Sequence, residues 1–227
     1  MSSTIPLPDL LALTWFALLA IGYQLVSEYG PAARGGIAGS MQRRREQWMA
    51  IMSRRDNRTV DAILLGGLSQ GNAFFASTCA IAIGGLAAIM GSGDKTQALL
   101  ERIPYVAKSP PFVWELKVIA LMGVFVYAFF KFAWAFRLSH YTAIMLGATP
   151  LDDDPDEDGR LDHARRTADL LGIAAEHANR GLRSFYFAFA VMAWFFHPLL
   201  FVIATTWVIL ILVRRDYYSR SRRIVAS

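Results

Sequence analysis

The sequence predicts an all-α membrane protein with four transmembrane helices and two amphipathic cytoplasmic helices. Three observations predict it. Hydrophobic residues make up 55% of the 227 positions and charged residues only 18%, against about 25% charged in an ordinary soluble domain. The apolar residues are also bunched, since 10–26, 72–90, 118–130 and 185–213 contain no Asp, Glu, Lys or Arg. A hydrocarbon core roughly 30 Å thick takes about 20 residues of helix, and each stretch reaches or extends to about that length. Finally, the arginines gather in particular connections, which is the pattern that orients a membrane chain. Residues 1–227 therefore read as a single membrane domain. Its spans lie at about 10–28, 72–90, 112–136 and 185–213, and its long cytoplasmic connections at 30–71 and 137–184.

The first span lacks the basic n-region of a secretory signal, because Met1 to Leu10 hold no Lys or Arg. It reads as a retained transmembrane helix, started by Asp9 after Pro6 and Pro8. The connection that follows carries MQRRREQWMAIMSRRDNR, residues 41–58. Met41, Trp48, Ile51 and Met52 share one helical face that Arg43, Arg44, Arg54 and Arg55 largely avoid. Such a helix is expected to lie flat at the membrane surface with its apolar face in lipid, or simply to fix topology through its arginines.

In the second span, Ala76, Ala80, Gly84 and Ala88 recur every four residues. A stripe of small residues lets helices approach closely in lipid, within the chain or with another chain. Cys79, the single cysteine, reads as a small buried hydrophobe and excludes an internal disulfide or a thiolate metal centre.

The third span starts after Ser109-Pro110-Pro111, with proline in the first turn. Glu115 and Lys117 near its start are expected to snorkel to the outer interface. Its second half is unusual: seven of the sixteen residues 126–141 are Phe, Trp or Tyr, and Lys131 sits among them. The expectation is that the lysine stem lies in oil while its ammonium reaches the inner headgroups, with Tyr127 at i−4 and Trp134 at i+3 offering ring faces. The alternative is a pairing or binding role, for example with Glu28.

The next connection holds seven carboxylates within residues 150–162. Asp154, Asp156, Asp158, Gly159 and Asp162 match the opening of a calcium loop, but the twelfth position is Arg165 where a bidentate Glu is needed. A solvated acidic loop is the better reading. Residues 161–185 form the second amphipathic candidate, with Leu170, Ile173, Ala174 and His177 at helical spacing.

The fourth span contains His197-Pro198 near its middle. Proline removes a backbone donor and kinks a helix, and His197 is expected to bond a carbonyl thereby freed. A single crossing is the expectation, and a re-entrant hairpin is the alternative. The count of Lys and Arg bears on this choice. The first and third connections hold thirteen and the second only three, which puts the amino terminus outside. A simple fourth crossing then places Arg214, Arg215, Arg220, Arg222 and Arg223 outside as well, which goes against the rule.

No H-E-x-x-H, G-x-S-x-G, C-x-x-C or Walker-type loop occurs. His140 and His197 lie at different depths, which argues against a bis-histidine haem. No cofactor or metal is expected. The net charge of +5 sits beside apolar spans, so the partner expected for these cations is anionic lipid and not nucleic acid.

RDNRTVDAILL, FFASTCAIAIGGL, WELKVIALMGVFVYAFFKFAWAFRLSHYTAIMLGATP, NRGLRSFYFAFAVMAWF and RRDYYSRS, in that order, resemble the bacterial domain-of-unknown-function family 599. The resemblance covers most of residues 8–221. It implies a multi-spanning inner-membrane protein and supplies no catalytic residues. The family-like positions are Trp48, Asn57, Arg58, Asp61, Phe75, Glu115, Lys117, Lys131, Trp134, Arg137, Asn179, Gly181 and Arg183.

The functional expectation is non-enzymatic: a lipid-contacting accessory subunit or factor of a membrane assembly, possessing anionic-lipid contacts and open to a membrane-protein partner or a second copy. Arg43, Arg44, Trp48, Lys131, Trp134, Arg137, Asn179 and Arg183 are the candidate contact residues. A small transporter with a polar path around Lys131, Arg137 and Arg183 is the alternative. A membrane redox or lipid-modifying enzyme is a third reading, for which no reactive cluster is visible.

Overall fold

A computed structural model of the chain describes residues 5–29, 36–92, 96–98, 109–151, 155–218, 220 and 224–225. The long elements are all helical: α1 Leu7–Tyr29, α2 Ile37–Met52, α3 Thr59–Gly91, α4 Pro111–Gly147, α5 Glu157–Trp194 and α6 Pro198–Tyr218. Four of them, α1, α3, α4 and α6, are long and apolar enough to cross a membrane. Their outward faces carry side chains such as Leu18, Phe74, Ile81 and Trp207, each more than 60% exposed. Water would oppose such a surface, and hydrocarbon does not.

The fourth predicted span needs correction. Residues 185–213 do not form one helix. The chain leaves α5 at Trp194, turns through Phe195–His197 and begins α6 at Pro198. The cause is local. Pro198 has no N–H for the preceding turn and suits the first position of a new helix. His197 then caps that helix, its Nδ1 accepting from the Leu199 N–H at 3.1 Å, so the histidine bonds an amide and not a freed carbonyl.

α6 runs back along α5. Trp194 stacks on Phe201 beside the turn, and Arg183 reaches Asp216, 33 residues later, at the far end. The break therefore makes a long antiparallel hairpin, in which α6 alone has 21 residues, about 31 Å of helix. α1 lies alongside: Asp9 meets Trp194 at one end, and Tyr23 meets Asp216 at the other. The end of α6 thus returns to the end of the bundle that holds Ser27 and the start of α2.

α3, α4 and α5 have 33, 37 and 38 residues, about 50–57 Å of helix against a hydrocarbon core of roughly 30 Å. They build two cores. One, around Trp114, Val118, Leu121, Val191, Trp194 and Phe201, joins the bundle with α1 and α6. The other, around Met49, Met52, Leu65, Leu146, Ala168 and Leu171, joins the opposite ends of α3, α4 and α5 to α2. Phe75, Phe132 and Phe185 fill the level between, with Phe75 stacked on Phe132 at 5.1 Å.

α2 therefore turns part of its apolar face onto protein. Met49 and Met52 are fully buried against protein, while Met41 and Ile51 are exposed. Covering each methionine removes apolar surface worth about 1.5–3 kcal/mol, and here α5 and α3 supply the cover. The buried face of α5 is also shifted from the expected one: Ala164, Thr167, Ala168, Leu171 and Ala174 point inward, whereas Ile173 is exposed. α3 begins at Thr59, well before the predicted span at 72, because Asn57 accepts the Thr59 N–H at 2.9 Å and Asp61 lies in the first turn.

Candidate functional site

Polar side chains on long apolar helices must find partners inside the fold, because hydrocarbon offers none. Among the described residues, three clusters of buried charge do so, and three cavities meet at one of them.

At the end where α5 turns into α6, Lys117 is 1% exposed and lies 3.7 Å from Asp9 Oδ1. Its ammonium donates to Ser109 Oγ at 2.9 Å and stands 5.6 Å from the centre of the Trp194 ring. Trp194 donates its indole N–H to the same Asp9 oxygen at 2.7 Å. Two expectations fall here. Lys117 does not snorkel, and the Asp9 carboxylate joins α1 to α4 and α5 instead of capping α1. Glu115 remains exposed.

Beside the second core, buried Asp61 accepts the Trp48 indole N–H at 2.7 Å and Arg55 at 2.8 Å, both on Oδ1. Arg58 donates to the Thr149 and Pro150 carbonyls, each at 2.6 Å. These bonds clasp the α2–α3 corner to the α4–α5 corner. Trp48 is thus engaged within the protein.

The third place is the junction of α1, α5 and α6. Asp216 Oδ2 accepts from Tyr23 Oη at 2.6 Å and from Arg183 at 3.1 Å, and its Oδ1 accepts from Arg215 Nε at 2.8 Å. Arg183 also donates to Ser27 Oγ at 2.7 Å and lies over the Tyr23 ring. Its Nε is buried without a hydrogen-bond partner.

Three cavities meet at Arg183. A groove of about 320 Å³ lies between α1, α4 and α5, walled by Phe16, Ala20, Ala120, Gly123, Val124 and Phe187. Tyr23, Gln24, Tyr127, Arg180 and Arg183 form its polar side. A cavity of about 620 Å³ between α2 and α5 is lined by Arg45, Asn179, Arg180 and Arg183, with Asp169 and Glu176. One of about 250 Å³ adds Arg215 and Asp216. Burial lowers the pKa of Arg45 on α2. Its guanidinium meets Gln42 at 3.5 Å, and no carboxylate bridges it among the described residues.

Of the sequence-predicted residues, Asn179 and Arg183 line these cavities. Lys131 is half-buried, with its ammonium 5.0 Å from the Tyr127 ring centre, and Tyr127 lines the groove and accepts from Gln24 at 3.1 Å. Trp134 is 48% exposed, and Arg137 donates to Tyr141 Oη farther along α4. Arg43 and Arg44 are exposed and, among the described residues, bond their own helix at Ser40 and Gln47. Of the small-residue stripe, Ala76 packs near Cys79, but Ala80, Gly84 and Ala88 face outward, and a Cβ on Gly84 meets nothing within 4 Å. The side chain of Glu28 and the proposed calcium position Asp154 lie outside the described residues. Sequence reasoning missed Tyr23, Gln24, Arg45, Arg180 and Asp216. Asp216 did leave a signal, as a lone acid in the arginine-rich tail RRDYYSR.

Two of the family-like positions bond each other, and a third sits against an aromatic ring. Trp48 meets Asp61. Gly181 sits so close to Phe132 that a Cβ would fall 2.7 Å from its ring. A family model described as "Protein of unknown function, DUF599" matches residues 11–221. The chain belongs to the DUF599 family. Neither a curated protein nor a solved structure matches this DUF599 chain. Among the described residues of this family member, no group of three or more His, Cys, Asp or Glu is placed to hold a metal.

Proposed function

We propose that this DUF599 protein is a non-enzymatic, lipid-contacting accessory factor of a membrane assembly. The observation that carries the reading is the groove between α1, α4 and α5, whose walls are apolar and whose polar side ends on Arg180 and Arg183. An apolar cleft that terminates in guanidinium groups suits an amphiphile with an acidic head. The sequence alternative, a polar path through Lys131, Arg137 and Arg183, finds less support: these three line no common cavity among those described. The test is purification from native membranes in mild detergent, followed by mass spectrometry of the intact particle. Retained lipid together with a second membrane protein is the expected result. A chain that emerges free of both overturns the reading.

A further inference from the structure

Resting on that lipid-contacting reading, we propose that the groove between α1, α4 and α5 is a stoichiometric site for a single anionic phospholipid, with an acyl chain in the groove and the phosphodiester at its cationic end. Three observations lead there. The first is polarity along the groove. On α4 its lining residues Ala120, Gly123, Val124 and Tyr127 follow one helical stripe, and the next position on that stripe is Lys131, held against Tyr127. Arg180 and Arg183 line the same groove from α5. Small and aromatic walls thus lead to cations contributed by two helices.

The second is charge. Around the adjoining cavities and at Lys131, five cations (Arg45, Lys131, Arg180, Arg183, Arg215) face three carboxylates (Asp169, Glu176, Asp216) among the described residues. A phosphodiester with an uncharged head group brings one negative charge toward that excess, whereas a choline lipid brings its own cation and does not. The third is an unsatisfied guanidinium edge. Arg183 lines the groove, its buried Nε has no hydrogen-bond partner among the described residues, and a guanidinium edge is the group that best matches phosphate oxygens.

Gly123 provides a selective test. A Cβ built there meets nothing within 4 Å, so a larger side chain occupies the groove without displacing the protein's own atoms. The parent, Gly123→Leu, Ala120→Leu and Lys131→Gln are purified in detergent, supplied with equal amounts of phosphatidylglycerol and phosphatidylcholine, and weighed intact. The parent is expected to retain one phosphatidylglycerol in preference to phosphatidylcholine. Both groove-filling variants are expected to lose it, Gly123→Leu while keeping the parent's melting temperature. Lys131→Gln is expected to weaken the preference about fivefold, the contribution of one basic residue near an anionic lipid. Soluble glycerol phosphate in excess is expected not to displace the lipid, because it lacks the chain; displacement would assign the site to the free phosphate ester and overturn the proposal. Undiminished phosphatidylglycerol on both folded groove variants, or no preference in the parent, overturns the site and leaves the lipid-contacting reading standing. A parent that retains no lipid overturns both.

Discussion

Asp216 carries the most connected polar network in the described chain, and its removal should be felt at once. Asp216→Ala leaves Arg183 and Arg215 without their carboxylate and the Tyr23 hydroxyl without its acceptor. Breaking a buried pair costs about 3–5 kcal/mol. Arg215 is 35% exposed, so solvent screening brings the expected loss to about 3 kcal/mol or less. Thermal melting in detergent checks it, and an unchanged midpoint would show that the network contributes nothing to stability. Asp9 and Lys117 allow a sharper comparison. Lys117→Met strands a buried carboxylate, and Asp9→Leu strands a buried ammonium, so each alone should destabilise by about 3 kcal/mol. The double variant removes both charges and should recover much of that loss. Additive losses would mean that the two residues do not act as a pair. Lys117 was legible as a charge at the start of a span, but neither its burial nor its partner was: Asp9 stands 108 positions earlier, and only the tertiary fold brings the two together.

Glycines separate buried helix contacts from lipid-facing surface at the scale of an element. The repeat of small residues made Gly84 the attractive packing position in the sequence, yet it faces open space, whereas Gly181 sits at a close contact between helices. Gly181→Ala pushes a methyl against the Phe132 ring, which stacks on Phe75, and overpacking of this kind costs about 1–3 kcal/mol. Gly84→Leu should leave the melting midpoint of the isolated chain where it was. The reverse ranking of the two variants would refute the packing of α4 on α5. The four-residue repeat could not settle this, because a stripe fits a neighbour in the same chain, another chain or lipid equally well. The face of α5 was misread for a related reason. Leu170 and Ile173 are more apolar than Ala164, Ala168 and Ala174, but the crowded contact with α2 and α4 selects small side chains for the inside.

The position of the carboxyl tail is the whole-molecule question. A single fourth crossing would send five arginines to the side that holds only three other basic residues. The α5–α6 hairpin removes the conflict, because Asp216 returns to the level of Arg183 and Ser27. In a Cys79→Ala background, single cysteines at the exposed positions Asp56, Ser92 and Tyr218 should respond to an impermeant label as two classes. Asp56 and Tyr218 are expected to be protected in intact cells, and Ser92 to be labelled. Labelling of Tyr218 together with Ser92 would refute the hairpin as it sits in the membrane. Labelling of Asp56 and Tyr218, with Ser92 protected, would invert the orientation while keeping the hairpin.

What the sequence determined by itself is the solvent and the class: charge-free runs of membrane length admit few outcomes other than apolar helices in lipid, since an unpaired backbone cannot cross hydrocarbon. It also marked Lys131 as a charge out of place in an apolar run, and Asn179 and Arg183 as family-like contact candidates. Composition cannot tell which helix turns back, which apolar face meets protein and which meets lipid, because both neighbours are equally greasy. Those outcomes depend on close packing and on finding partners for isolated charges. Tertiary structure alone decided that α6 folds back along α5 after the break at His197-Pro198, that part of α2 covers protein, and that Tyr23, Arg183 and Asp216, far apart in the chain, close into one network beside a groove.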